Sequence, residues 1–239
     1  YASSTTYISG GAVSKAAKIV AERIKTRACL LLTESEPGVT VSDIKLVNRH
    51  AISNKGNKVS YTEIALSTLH HFDQEQIMGT ASFWSPSAPP PFAAQFAEVT
   101  VDIETGNTVV DKLVMVVDAG VIVNPLTASG QIEGGMTQAL GYAVCEEMKY
   151  NSIGQAREKD LKDYHIFRSD EMPKMKALFV DSYEPTHPFG AKAVAEIPMD
   201  GVAPAVGNAI MDACGISIKS IPVIPEKVWQ ALRNEIQSI

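Results

Sequence analysis

The sequence predicts an α+β fold, in which antiparallel hairpins pack with helices. Residues 96–102 and 109–118 alternate between two faces across a Glu104-Thr105-Gly106-Asn107 turn, the pattern of an antiparallel hairpin. Helical spacing recurs over residues 12–29, from Gly130 onward, and over residues 204–214 and 225–236. Strands in pairs with helices between them, without a regular parallel crossover pattern, favour separate layers over a doubly wound sheet.

The opening Tyr1-Ala2-Ser3-Ser4-Thr5-Thr6-Tyr7-Ile8-Ser9-Gly10-Gly11 reads as a hydroxyl- and glycine-rich loop; without an initiator Met it suggests a fragment or a processed chain. It feeds a half-buried helix with Val13, Ala16, Ala17, Val20 and Ile24 on one side and Ser9 as the expected N-cap. Hydroxyls and free backbone N–H groups at a helix start can bind an anion such as phosphate, although Ser and Thr also serve simply as caps. Residues 39–59 predict a small hairpin with Ser53-Asn54-Lys55-Gly56-Asn57 as its turn, and Tyr61 starts a short helix with Thr62 as its cap. The Ser85-Pro86-Ser87-Ala88-Pro89-Pro90-Pro91 stretch can continue neither a helix nor a central strand. It predicts a connection near residues 80–92, and hence two intertwined subdomains within 1–239.

After the central hairpin, residues 119–125 break the sheet and a helix is expected to begin near Gly130, with Ile132, Met136, Leu140, Ala143, Val144 and Met148 on its apolar side. Gly134, Gly135 and Gly141 each weaken a helix by roughly 1 kcal/mol, which argues for close packing or a ligand at its backbone. Gln131, placed in the first turn, can donate and accept hydrogen bonds toward a ligand or face solvent. Residues 163–167 and 176–180 read as short strands or extended segments, Gly215 stops the helix that begins at Pro204, and residues 225–236 form a last amphipathic helix.

Composition narrows the function. With 45% apolar and 20% charged residues over 239 positions, the chain can bury a sizeable core and is neither disordered nor membrane-embedded. A net charge of −6 with no basic stripe argues against nucleic acid or an anionic membrane as partner. Cys29, Cys145 and Cys214 lie too far apart for a zinc or iron–sulfur motif, so no metal ligands are assigned; they read as small buried hydrophobes in a reducing cytoplasm.

The chemistry points to Pro188-Phe189-Gly190-Ala191-Lys192-Ala193-Val194-Ala195-Glu196-Ile197-Pro198, where one carboxylate ends a run of small and apolar residues. Loss of hydration there would raise the pKa of Glu196 toward the range of a general base. The alternative is an exposed glutamate paired with Lys192.

Five blocks, in order, carry a family resemblance: Ala2-Ser3-Ser4-Thr5; Phe92-Ala93-Ala94-Gln95-Phe96-Ala97-Glu98-Val99; Asp118-Ala119-Gly120 through Asn124-Pro125; Gly130-Gln131-Ile132-Glu133-Gly134-Gly135; and residues 189–196. Together they resemble the C-terminal part of the molybdenum-binding subunit of xanthine dehydrogenases and aldehyde oxidases. The resemblance implies a cytoplasmic molybdenum hydroxylase that adds oxygen from water to an electron-poor carbon, with Glu196 taking up the proton. It implies that Ala2, Ser3, Ser4 and Thr5 hold the phosphate end of molybdopterin, carried as such or as its cytosine dinucleotide, and that Gln131 hydrogen-bonds the same cofactor.

The same resemblance makes this chain half of a site. The remaining molybdopterin-binding half, the iron–sulfur clusters and FAD are then expected on other chains or domains. Xanthine or another purine is the leading substrate, ahead of nicotinate, another N-heterocycle or an aldehyde. A noncatalytic structural or assembly domain is the competing reading, and the carboxylate at Glu196 argues against it. Ala193 and Ala195 replace glycines usual in the family, which reduces backbone freedom next to Glu196.

Overall fold

The computed structural model describes residues 3–187 and 189–236, so Ala2 and Pro188 lie outside the described residues. Its contacts divide the chain into Thr5–Pro86 and a larger unit of Ser87–Ile239 together with Tyr1–Ser4.

In the smaller unit a π-helical turn, Thr5–Ser9, runs directly into α1 (Gly10–Leu32). Ser9 therefore does not cap: its backbone is already helical and its side chain makes no cap hydrogen bond. The helical path begins at Thr5 instead. The expected hairpin is a three-stranded meander of β1 (Lys45–Val47), β2 (His50–Ile52) and β3 (Lys58–Ser60). The Ser53 to Asn57 turn forms as read, closed by Ser53 N–H to Asn57 O at 2.8 Å. An additional turn at Asn48 and Arg49, with φ of 47° and 61°, divides what looked like one strand. Residues 41–43 form a 3-10 turn.

α2 (Tyr61–His70) is capped by Ser60 and not by Thr62. Ser60 Oγ accepts from Glu63 N–H at 3.1 Å while the Glu63 carboxylate accepts from Ser60 N–H at 2.7 Å, a reciprocal capping box. Ala28 and Leu32 of α1, Ala51, Val59 and Ile64 build the core of this unit. Arg27, only 3% exposed, is neutralised inside it by a bidentate pair with Asp73 at 2.6 and 3.0 Å and by bonds to Ser67 Oγ and O.

The sheet of the larger unit has the order β4 (Phe92–Val101), β5 (Thr108–Asp118), β6 (Lys174–Phe179). β4 and β5 are the expected antiparallel pair, with a bulge between Glu98 and Val99. β6, by contrast, lies parallel to β5, in register from Lys112↔Lys174 to Val117↔Phe179. The sheet is thus mixed. The reason is that α3 (Pro125–Val144) and the segment after it return the chain to the end of the sheet where β5 began. Residues 163–167 form no strand.

Leu113, Met115 and Val117 point from β5 into the core against Ile132, Met136 and Leu140 of α3. Val202, Val206 and Ile210 of α4 (Val202–Cys214) and Val228 of α5 (Pro225–Ile236) complete it. Side chains buried to this degree contribute about 1.5–3 kcal/mol each. Gly215 ends α4 with φ of 74°. The three cysteines are free and half-buried, less enclosed than the sequence suggested. Burial, followed by the charges of Glu146 and Glu171, pushes the Cys145 thiol up to about 11, which makes it a poor nucleophile at neutral pH.

Candidate cofactor and catalytic site

The candidate site is built in the larger unit where β5 ends. Beyond Asp118 the chain turns at Gly120 (φ 67°), where a Cβ would lie 2.2 Å from Gly190 O. Val121 N–H donates to Gly190 O at 2.8 Å and Lys192 N–H to Ala119 O at 2.7 Å, joining the Glu196 segment to the end of the strand. Lys192 Nζ donates to Asp118 Oδ2 at 2.8 Å, lies 5.5 Å from the centre of the Phe92 ring, and is mostly buried. Ser182 Oγ donates to the other oxygen of Asp118. Lys192 thus pairs with a carboxylate, not a backbone carbonyl and not Glu196.

The bonds from Lys192 and then Ser182 hold the Asp118 carboxyl at about 2, below its ordinary 3.8. A carboxylate depressed on folding stabilises the fold above its unfolded pKa and ceases to do so as pH falls through its folded pKa. Lys192→Met is therefore expected to lower the thermal midpoint at pH 6.5, with the difference from the parent shrinking as pH falls from about 4 to about 2. Melting curves of both proteins across that range check it; a difference independent of pH would remove Asp118 as its origin.

Glu196 follows as the residue that opens a 3-10 turn, Ile197–Met199. Val194 and Ile197 pack against the core and Pro198 is buried, while the Glu196 side chain is exposed. The expected burial of Glu196 by its apolar neighbours is corrected here: their side chains turn inward and leave the carboxylate outside. Glu196 Oε2 accepts from Ser3 Oγ at 3.0 Å, so the opening loop and the candidate base meet although 193 positions separate them. Ser3 adopts φ of 51°; Ala193 and Ala195 have no such positive φ, so their methyl groups impose no comparable strain.

Gln131 is also displaced from its expected setting. Asn124 caps α3 through Oδ1, accepting from Leu126 N–H at 3.1 Å and Thr127 N–H at 3.3 Å, and Pro125 occupies the first helical position. Gln131 consequently stands in the second turn, away from the free N–H groups. It is exposed, flanked on the same helix by the exposed Gly130 and Gly134, at neither of which a Cβ would meet anything within 4 Å. One turn beyond Gln131, a Cβ on Gly135 would lie 2.7 Å from Pro198 Cβ. The helix that carries Gln131 and the turn that carries Glu196 are thereby in direct contact.

Bare helix backbone, an outward amide, a serine hydroxyl and an exposed carboxylate fit one side of a polar, planar, anion-bearing cofactor. Ser4 adjoins Ser3 in this unit, whereas Thr5 opens the smaller one. Sequence reading missed Asp118, Gln95 and Tyr142, whose bonds fix this region. Gln95 could have been found: it shares the inward side of β4 with Ala97, Val99 and Val101, where an amide is out of place without a partner.

Residues 1–173 match the molybdopterin cofactor-binding domain, and the chain belongs to that family. It is 36% identical over 98% of its length to the probable hypoxanthine oxidase XdhD of Escherichia coli, of which it spans 24%. It is 30% identical over 96% of its length to the putative xanthine dehydrogenase molybdenum-binding subunit XdhA of the same organism, of which it spans 31%. Quinoline 2-oxidoreductase of Pseudomonas putida 86 superposes with a TM-score of 0.83 at 26% identity, over 98% of this chain and 30% of that one. The CO dehydrogenase of Oligotropha carboxidovorans shares the fold, with a TM-score of 0.82 at 24% identity over 100% of this chain and 30% of that one. No described helix is long and apolar enough to cross a membrane.

Proposed function

We propose that this chain forms one side of the active site of a molybdenum hydroxylase and that Glu196 is its general base. The observation that carries the reading is the anchoring of Glu196. A single outward carboxylate follows a segment tied to the strand end through Lys192 and Val121, and it opens a turn seated on Gly135. Purine substrates such as xanthine or hypoxanthine are favoured by the names of two relatives matched over nearly the whole chain at 36% and 30% identity, ahead of a 6-hydroxypseudooxynicotine dehydrogenase subunit matched over 96% of it at 29%. An aldehyde is the second reading, since the aldehyde oxidoreductase of Megalodesulfovibrio gigas is 35% identical over 57% of the chain.

When bound, the molybdenum cofactor supplies oxygen addition from water and takes up the electrons. The protein's own residues hold and deprotonate. Ser4 through its hydroxyl, and Ser3 with Ala2 and Thr5 near it in sequence through backbone donors, bind the cofactor's phosphate, while the Ser3 hydroxyl is given to Glu196. Gln131 reads its polar edge over the bare backbone of Gly130 and Gly134. Glu196, exposed and held by Ser3, receives the proton at a carboxylate oxygen. The other half of the cofactor site, the iron–sulfur and FAD partners, the cytosine dinucleotide form and a cytoplasmic location extend the same proposal.

Cofactor content of the assembled enzyme tests the binding roles. Ser3→Ala with Ser4→Ala is expected to weaken cofactor retention about 10- to 100-fold, the scale of a hydrogen bond to a charged group. Gln131→Ala is expected to weaken it only several-fold, roughly one neutral hydrogen bond, and to leave the pH profile of turnover in place. Unchanged molybdenum and pterin content in the serine variant would remove the opening loop from the site. A shifted acid limb at full occupancy in Gln131→Ala would instead contradict its purely binding role.

A further inference from the structure

We propose that Gln95 and Tyr142 are positioning residues that clamp the turn opened by Glu196 and thereby fix its carboxylate relative to α3. The inference rests on the reading of Glu196 as the base. Two side chains from different elements converge on consecutive carbonyls of this turn. Gln95 Nε2, from β4, donates to Pro198 O at 2.7 Å, and Tyr142 Oη, from α3, donates to Met199 O at 2.5 Å. The turn has little cohesion of its own, being closed by Met199 N–H to Glu196 O at 3.0 Å and Asp200 N–H to Ile197 O at 3.3 Å. External donors therefore decide how rigidly it is held.

The setting of Gln95 shows what the amide is for. Its Oε1 is buried without a hydrogen-bond partner, so a glutamine here carries a penalty that methionine or leucine would avoid. What the amide adds is the bond to Pro198 O, beside a weaker one from the same Nε2 to Met115 Sδ at 3.3 Å within the core. Space for it is left at Gly201, where a Cβ would lie 2.2 Å from Gln95 Oε1. On the other side, burial and then the charge of Asp200 push the Tyr142 phenol above its ordinary range, which favours the protonated hydroxyl that donates to Met199 O. Gly135 completes the seat by admitting Pro198 against the helix. Three residues from two elements, β4 and α3, thus act on two residues of one turn, and Glu196 is the side chain that this turn presents.

The test uses the assembled, cofactor-loaded enzyme and two near-isosteric variants, Tyr142→Phe and Gln95→Met, each alone and combined with Glu196→Gln. Hydrogen–deuterium exchange is read at the amides of Met199 and Asp200, together with kcat, KM and molybdenum content. We expect both amides to exchange at least about 10-fold faster, and kcat to fall about 5- to 100-fold at normal metal content with KM within about 2-fold. In the Glu196→Gln background the same substitutions should change the residual rate less than about 2-fold, because the group they position is gone. Unchanged exchange at both amides, or equal rate losses with and without the Glu196 carboxylate, overturns the proposal. Should Glu196→Gln alone leave turnover intact, the base assignment fails, and faster exchange would still establish the clamp. Tyr142→Phe keeps its ring and packing, so loss of the fold cannot mimic the expected result in both variants.

Discussion

Glu196→Gln is expected to lower kcat by about 10² to 10⁴, the usual cost of removing a positioned base. Cofactor content should be retained. Glutamine keeps the length of the side chain and an acceptor for the Ser3 hydroxyl now 3.0 Å from Glu196 Oε2, so the opening loop has no reason to move. What it loses is the ability to take a proton. Glu196→Asp keeps the charge but draws it back by one methylene, away from Ser3 and from the reacting groups, and is expected to recover only part of the rate. Steady-state kinetics at several pH values, normalised to molybdenum content, decide the matter. Turnover of the loaded glutamine variant within a few-fold of the parent would make Glu196 structural and place the base elsewhere.

Much of this fold could be read from local pattern, because hydrophobic period and turn chemistry act over a few residues. The central hairpin is legible in the alternation through Leu113, Met115 and Val117, all on the buried side. The last two helices are legible from their spacing and from Gly215. Pairing across long separations is not local, and the parallel union of β5 with β6 therefore escaped prediction. The turn at Asn48-Arg49 escaped for another reason: its left-handed backbone is carried by residues other than glycine. α3 was begun too late because Asn124-Pro125 was read as a sheet breaker, when the same pair is a cap followed by a favourable first helical residue.

The site shows the same limit. Glu196 stood out as a lone carboxylate, but its exposure depends on Val194, Ile197 and Pro198 turning inward, which only the tertiary packing determines. Lys192 enters the sequence reading as an alternative partner of Glu196, whereas its partner in the fold, Asp118, lies 74 positions away. Gln131 was singled out by type and not by setting. Its exposed position between bare glycines is a property of the helix surface that residue order suggested only in outline.

Two adjacent glycines of α3 separate helix propensity from the seating of the turn that carries Glu196. A methyl group at either position should favour the helix by up to about 1 kcal/mol. At Gly134 a Cβ meets nothing within 4 Å, so Gly134→Ala is expected to raise the thermal midpoint of the protein. At Gly135 the same methyl lies 2.7 Å from Pro198 Cβ and 3.2 Å from Pro198 Cγ, and a proline ring on a short turn cannot swing aside as a flexible side chain would. The turn must lift from the helix. Such a shift strains the bonds from Gln95 and Tyr142 to the Pro198 and Met199 carbonyls and carries Glu196 with it. Because a displacement near 1 Å can cost about 10² in rate, Gly135→Ala is expected to lower kcat by about 10- to 100-fold while the helical gain offsets part of the packing loss. Circular dichroism melts and kinetics on the two alanine variants, each normalised to molybdenum content, check the contrast. Equal kcat in the Gly135→Ala variant and the parent would show that the site tolerates a displaced turn and that the seat of Pro198 is not what positions the base.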